Sequence, residues 1–306
     1  MIPSPESGLL SVMLVATLIS NPKDRVLSTG LAHRAAAAVR ASETRWLARD
    51  IACDVGLPAD VSPDEAQVTF RDLLSAEPVD VVVQDAQSRR KQILIADMDS
   101  TMIDQECIDE LADEVGIKAE VAAITARSMN GEIAFEPALR ERVALLAGLE
   151  TAVIGRIIER RITLASGALE LVRTMRANGA YTALVSGGFE SFTQPIAGMI
   201  GFHENRANQL LEKDGRLTGF VAEPILGRSA KAQALTEIAA GRGLTPADAI
   251  AVGDGANDLD MLRLAGSGVA LHAKPVVAAE ARMRIDHGDL TALLYIQGYR
   301  QEEFVA

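Results

Sequence analysis

Residues 93–101 read ILIADMDST. Ile93–Ala96 is a short, unbroken apolar run, the pattern of a central strand covered on both faces of a parallel sheet. It stops at Asp97-Met98-Asp99-Ser100-Thr101, so two carboxylates stand where the strand ends. Two other runs repeat the arrangement. Tyr181–Val185 (YTALV) ends in Ser186-Gly187-Gly188, and Ala249–Val252 (AIAV) ends in Gly253-Asp254-Gly255-Ala256-Asn257-Asp258. In an open parallel sheet, ligands bind outside the carboxyl ends of the strands. Residues far apart in sequence are therefore expected to meet in one crevice.

Outward from these strands, the pattern is α/β. Ser166 is expected to cap a helix that stops at Asn178-Gly179, and Ser229 to open a helix carrying Lys231. Thr245-Pro246-Ala247-Asp248 reads as a short capped helix start. Asp214-Gly215 signals a hairpin between two short extended runs, and Gly268–Leu271 reads as a further strand. Between Glu106 and Ile162 apolar residues recur at helical spacing (Leu139, Val143, Leu146; Val153, Ile154, Ile157, Ile158), which predicts three or four helices and no strand. The chain before residue 85 alternates again. Residues 9–20 and 46–55 read as strands, 28–41 as a helix, Ser62 as the cap of a helix to about Ala76, and Val79–Val83 as a third strand. The expected division is a small N-terminal α/β domain over 1–85, a polar linker at 86–92, a core from 93–105 and 163–306, and a helical insertion over 106–162.

The chain has 306 residues, a net charge of −12, 48% apolar residues and only 4% aromatics. It is long enough for two domains with a sizeable core of Leu, Val, Ile and Ala. The acidic balance argues against nucleic acid and against an anionic membrane surface. Cys53 and Cys107 are too few for a disulfide framework or a Cys-rich zinc site. The apolar run Gly8–Ser20 is too short to span a bilayer and no Lys or Arg precedes it, so the expected location is cytoplasmic.

Converging strand ends would put Asp97, Asp99, Asp254 and Asp258 in one small volume. Like charges that close need an offset, and Mg²⁺ suits carboxylate and water ligands beside a phosphate. Lys231 adds positive charge at a helix start, while Ser186 and the Gly187 and Gly188 amides offer donors to an anion. Two carboxylates two residues apart allow one to attack and the other to move protons. These are the parts of phosphoryl transfer. Competing motifs fail. Counted from Asp97, a calcium-binding EF-hand loop needs Gly at 102 and Glu at 108, where the chain has Met102 and Ile108. GDGAND lacks the last glycine of a dinucleotide fingerprint, Ser186 has no nucleophile elbow, and no P-loop occurs.

The ordered set DMDST (97–101), SGG (186–188), Lys231 and GDGAND (253–258) resembles the haloacid dehalogenase (HAD) phosphohydrolases. More narrowly, DMDSTMIDQECIDELADEVG (97–116) with MNGEIAFEPALRERVALL (129–146) is similar to the cap of their phosphoserine phosphatase branch. The likeness covers about Ile93–Arg300. It implies a Rossmann-like parallel sheet with an inserted helical cap, and hydrolysis of O-phosphoserine to serine and phosphate in serine biosynthesis. It also implies Asp97 as nucleophile and Asp99 as general acid and base. Mg²⁺ would be held by Asp97, the Asp99 carbonyl and Asp254, with Asp258 supporting those ligands. Ser186, Gly187 and Lys231 would grip the phosphoryl group, with Asn257 near the same oxygens. Glu106 and Arg142 match positions that recognise the amino and carboxylate groups, and Met129 and Phe135 positions that close over the substrate. Taken alone, Glu106 and Arg142 read as residues on solvated helix faces. The N-terminal domain is expected to be ACT-like or ferredoxin-like, with docking, a homodimer contact and amino-acid sensing all open. A non-catalytic amino-acid binder on the same fold is the competing reading; it would have no need of both Asp97 and Asp99.

Overall fold

The computed structural model describes residues 14–41 and 43–306, so the start of the run at 9–20 lies outside them. The chain divides into two compact units. One comprises the residues up to Arg90 together with Tyr295–Arg300; the other comprises Lys91–Leu294 and Gln301–Ala306.

The first unit runs β1 (Leu14–Ser20), α1 (Thr29–Ala38), β2 (Thr44–Ala48), β3 (Ala52–Gly56), α2 (Pro63–Leu73) and β4 (Val79–Asp85). Its sheet is antiparallel with order β2-β3-β1-β4, the split β-α-β arrangement of ferredoxin-like domains. Ser28 and Ser62 cap the two helices by accepting from the Leu31 and Glu65 amides. The expected single strand over 46–55 is two strands. The chain reverses at Arg49–Ile51, with Asp50 in the left-handed region at φ 61°, and Trp46 pairs with Cys53.

Alternation along the strands splits the sheet's two faces. Ala16, Leu18, Cys53 and Val55 pack with Leu31, Ala35, Ala66 and Phe70 into one core. Thr17 and Asp54 fall on the other face, where Arg89 forks onto Asp54 (Nη1 to Oδ1 3.0 Å, Nη2 to Oδ2 2.8 Å) and Thr17 donates to Asp54 Oδ1 at 2.8 Å. Residues 295–300 lie with this group. Gln84 donates to the Ile296 carbonyl at 2.7 Å, and Arg90 stacks over the Tyr299 ring. Removing one member of a buried, hydrogen-bonded ion pair strands the other. Arg89→Ala is therefore expected to cost this unit about 3–5 kcal/mol. Trp46 is the only tryptophan in the chain, so its fluorescence in a urea titration reports this unit directly. An unchanged midpoint would show the pair to be idle.

The second unit is built on a six-stranded, wholly parallel sheet. Its strands are β5 (Ile93–Ala96), β6 (Tyr181–Phe189), β7 (Glu204–Asn208), β10 (Ala249–Gly253), β11 (Ser267–Leu271) and β12 (Met283–Ile285). The order is β12-β11-β10-β5-β6-β7, which places β5 between β10 and β6. Ala96 stands opposite Val252 on one side and Leu184 on the other, so three chains leave the sheet side by side. Between β5 and β6 come four helices, α3 (Cys107–Asp113), α4 (Lys118–Met129), α5 (Phe135–Ala144) and α6 (Ala152–Arg160), followed by α7 (Ala168–Ala177). The helix α8 (Glu190–Ile200) precedes β7, and β8 (Leu210–Lys213) and β9 (Arg216–Val221) form the expected hairpin at Asp214-Gly215. That hairpin lies along the helical insertion: Gly148 donates to the Leu217 carbonyl at 2.8 Å and Leu217 to that of Leu149 at 2.9 Å. The helix α9 (Arg228–Ala240) follows, with Lys231 in its first turn.

Two helix starts differ from expectation. Gly167, at φ 83°, occupies the cap position of α7, while the Ser166 hydroxyl donates to Asp289 at 2.7 Å. The helix bearing Lys231 begins at Arg228 with Gly227 before it, so Ser229 lies within its first turn.

Candidate active site

The loop after β5 is wound tightly about one carbonyl. Asp97 N–H continues the sheet by donating to the Val252 carbonyl at 3.0 Å. The Met98 carbonyl then accepts from the amides of Thr101, Met102 and Ile103, and Ser100 takes a left-handed φ of 55°. This curl carries Asp99 back beside Asp97, where its Oδ1 accepts from the Cys107 amide at the start of α3, at 3.4 Å.

Lys231 is wholly buried, and its Nζ lies 2.6 Å from both Asp97 Oδ1 and Asp258 Oδ1. Burial works against its charge, but Asp258 and Asp97 outweigh that and hold the ammonium above the usual lysine range. Asp258 also accepts from the Gly255 amide through Oδ2 at 3.1 Å, which bends the GDGAND segment around its own last residue. Asp254 receives a hydroxyl from Thr101 at 3.3 Å on Oδ1. Its Oδ2 is buried with no hydrogen bond, the Lys274 ammonium standing 3.6 Å away. Ligand atoms of Asp97, Asp254 and Asp258 all fall within 4.8 Å of one another. An all-oxygen donor set with a buried carboxylate oxygen that no hydrogen bond satisfies fits a hard divalent cation.

The carboxylates are shifted as crowding and dryness require. Burial and then the Asp97 charge push Asp99 up to about 7, against the Cys107 hydrogen bond. The same causes push Asp258 up to about 6, with Lys231 opposing. Burial, then Glu106, Asp258 and Asp97, drive Asp254 well above the usual range.

The segment after β6 closes the other side. Ser186 Oγ accepts from the Gly188 amide at 2.9 Å. At both glycines a Cβ would force a neighbouring side chain of the site to shift. A Cβ on Gly187 would lie 2.6 Å from the Phe135 ring, and one on Gly188 would lie 2.9 Å from Asp99 Oδ2. Asn208, at the end of β7, donates to the Gly187 carbonyl at 2.8 Å and accepts from the Leu226 amide at 2.6 Å. It thereby ties this segment to the lead-in of α9.

Asp97, Asp99, Glu106, Met129, Phe135, Arg142, Ser186, Gly187 and Asn257 all line one narrow cleft. Lys231, Asp254 and Asp258 do not line it; they join it through Asp97. Glu106 accepts from Ser100 Oγ at 2.7 Å, and burial followed by the Asp99 charge pushes its carboxyl up to about 8. Arg142 donates to the Ala138 carbonyl and to Thr125 Oγ1. Three apolar wall residues, Ile108, Leu139 and Phe189, are not among the site residues expected from the sequence, nor are Thr101, Thr125, Asn208 and Lys274. Lys274 follows β11, so the strand-end rule applied to one more strand reaches it. Thr125 and Asn208 carry no pattern of their own.

Residues 94–263 match the family of haloacid dehalogenase-like hydrolases. The chain belongs to that family. Among its relatives, a phosphoserine phosphatase of Streptomyces coelicolor is 41% identical over 226 residues, which cover 74% of this chain and 55% of the relative's length. The chain thus aligns with little more than half of that protein. A crystal structure of a HAD-family hydrolase from Salmonella enterica serovar Typhi superposes with a TM-score of 0.81 at 30% identity, covering 93% of this chain and 98% of the other. A structure described as a phospho-aspartyl intermediate analogue of phosphoserine phosphatase is 39% identical, with a TM-score of 0.65 over 67% of this chain and 98% of its own. The DMDST loop, the SGG segment, the helix bearing Lys231 and the GDGAND loop follow β5, β6, β9 and β10 in turn. Among the described residues, no helix is long and apolar enough to cross a membrane.

Proposed function

We propose that the protein hydrolyses O-phosphoserine through an aspartyl-phosphate on Asp97. One observation carries the reading. The cleft that ends on Asp97 and Asp99 has Glu106 and Arg142 in its helical wall, one acid and one base for the two charged groups of an amino acid. Arg142 is buried, so a substrate carboxylate would meet a desolvated guanidinium able to bind it through two hydrogen bonds.

In this reading the substrate phosphate sits against Ser186 Oγ, the Gly187 amide and Asn257, with Lys231 beside the nucleophile. Asp97 attacks phosphorus, the phosphorus–oxygen bond to serine breaks, and Asp99 gives its proton to the departing serine oxygen. Asp99 then takes a proton from water, which attacks phosphorus, breaks the bond to Asp97 and releases phosphate. The pKa near 7 suits Asp99 to both proton transfers. Asp97, the Asp99 carbonyl and Asp254, supported by Asp258, are the residues that would hold Mg²⁺, whose charge would offset that of the phosphoryl oxygens. Met129 and Phe135 would close the cleft and exclude water while the acyl phosphate exists. The relatives named phosphoserine phosphatase support this substrate, and we assign the reaction to the last step of serine biosynthesis, in the cytoplasm. The ferredoxin-like unit is the part we assign to docking, with self-association into a homodimer as its simplest form.

The deciding experiment compares O-phosphoserine with O-phosphoethanolamine, which keeps the amine and the ester but lacks the carboxylate. Wild type is expected to prefer O-phosphoserine strongly. Arg142→Ala is expected to lose about 2–5 kcal/mol of transition-state stabilisation with O-phosphoserine and much less with the other substrate. Equal losses would remove the basis for the substrate assignment. Separately, protein stripped by a chelator is expected to release no phosphate until Mg²⁺ is restored. Full turnover after stripping would show the acidic cluster to have another purpose.

A further inference from the structure

Arg142 is 3% exposed, yet its guanidinium is held by neutral acceptors. Nε donates to the Ala138 carbonyl at 3.0 Å, and Nη1 donates to Thr125 Oγ1 at 2.9 Å. Among the described residues no carboxylate closes an ion pair with it. Asp109 is linked to it only through Thr125, whose hydroxyl lies 2.9 Å from Asp109 Oδ1 and 3.0 Å from the Val121 carbonyl. Thr125 is itself buried on α4, facing Arg142 on α5.

The arrangement has a chemical consequence. A buried guanidinium paired directly with Asp109 would have its charge satisfied within the protein, and a ligand carboxylate would have to displace that partner. A single interposed hydroxyl prevents this. It accepts from Arg142, turns its own proton away toward Asp109 or Val121, and leaves the attraction of Glu106, Asp109 and Asp99 acting across a gap. Nε and one Nη1 proton are taken by these bonds, and the residue lines the cleft with its remaining donors uncommitted to any carboxylate.

We propose that Thr125 is a positioning residue for substrate specificity: its hydroxyl holds Arg142 in place and stands between it and Asp109, keeping the guanidinium ready for a substrate carboxylate. The inference rests on the reading of the cleft as an amino-acid phosphate site. No sequence pattern marks Thr125, and its role is visible only through the three polar contacts at one oxygen.

The test uses Thr125→Val in the full chain, which keeps the shape and removes the acceptor. With O-phosphoserine, KM is expected to rise roughly tenfold, the usual weight of a hydrogen bond to a charged group. The value of kcat should stay within about twofold, because the lost contact is made equally in ground and transition states. With O-phosphoethanolamine kcat/KM should not move, and Thr125→Ser should restore KM for O-phosphoserine. Should the valine variant melt below the assay temperature, Thr125→Ala makes the same deletion without added bulk and must show the same split. A change shared by both substrates, or wild-type KM in the valine and alanine variants, overturns the proposal while leaving the phosphoserine reading intact. A wild-type enzyme with no preference for the carboxylated substrate overturns the phosphoserine reading, and the role of Thr125 with it.

Discussion

Asp97→Asn is expected to abolish phosphate release while leaving the melting temperature of the protein near that of wild type. The amide is nearly isosteric with the carboxylate, so the loop wound on the Met98 carbonyl and the packing against β10 are preserved. What is lost is the attacking oxygen. Removing a covalent nucleophile typically lowers turnover by on the order of 10⁴-fold or more, the remainder coming from binding and electrostatics alone. The substitution also takes one charge from the group around Lys231, leaving Asp258 as its ion-pair partner at 2.6 Å. Stability should therefore move little, and loss of activity without loss of fold is the diagnostic combination. The complementary measurement is acid quenching of wild-type protein during turnover, followed by mass analysis of peptides. Phosphate should be found on the peptide holding Asp97. Label on the Ser186 peptide, or near-normal turnover by the Asn variant, would refute the assignment.

How much of this was legible beforehand differs by element, for physical reasons. Ile93–Ala96 was readable because a strand buried on both faces must be apolar at every position, and all four residues are fully buried. The meeting of Asp97, Ser186 and Asp254 followed from one topological rule, and the order β10-β5-β6 places their strands side by side. The helical insertion was legible from spacing. The strand over Glu204–Asn208 was not, because ENRAN at the edge of the sheet is polar and only one of its residues is buried. The hairpin in 46–55 reads as one strand because Arg49-Asp50-Ile51 turns with no glycine or proline, through a left-handed aspartate. Arg142 is the instructive case. Residue types alone left it on a solvated face, yet it falls four residues after Ala138 and three after Leu139, within the buried stripe of α5. A charge on an apolar stripe is a sequence-level sign of a buried cation with a purpose.

Asp99→Asn is expected to separate the two halves of the reaction. The variant keeps the size of the side chain and its reach toward the Cys107 amide but has no proton to give or take. General acid–base catalysis is typically worth about 10²–10⁴-fold, so turnover of O-phosphoserine should fall by that much. The fall should depend on the leaving group. The serine alkoxide cannot depart without a proton, whereas nitrophenolate is stable without one. With p-nitrophenyl phosphate, transfer to Asp97 should therefore proceed at a rate nearer that of wild type. The second step remains crippled for either substrate, since water must still lose a proton as it attacks the acyl phosphate. The expected trace is a burst of nitrophenol equal to the enzyme present, followed by slow release, with phosphorylated Asp97 accumulating in the quenched protein. O-phosphoserine should give no such burst, because its first step is also blocked. The carboxyl near pH 7 at Asp99, buried beside an attacking carboxylate, is the group placed to serve both steps. A variant that loses both substrates equally and shows no burst would mean that Asp99 orients the loop rather than moving the proton.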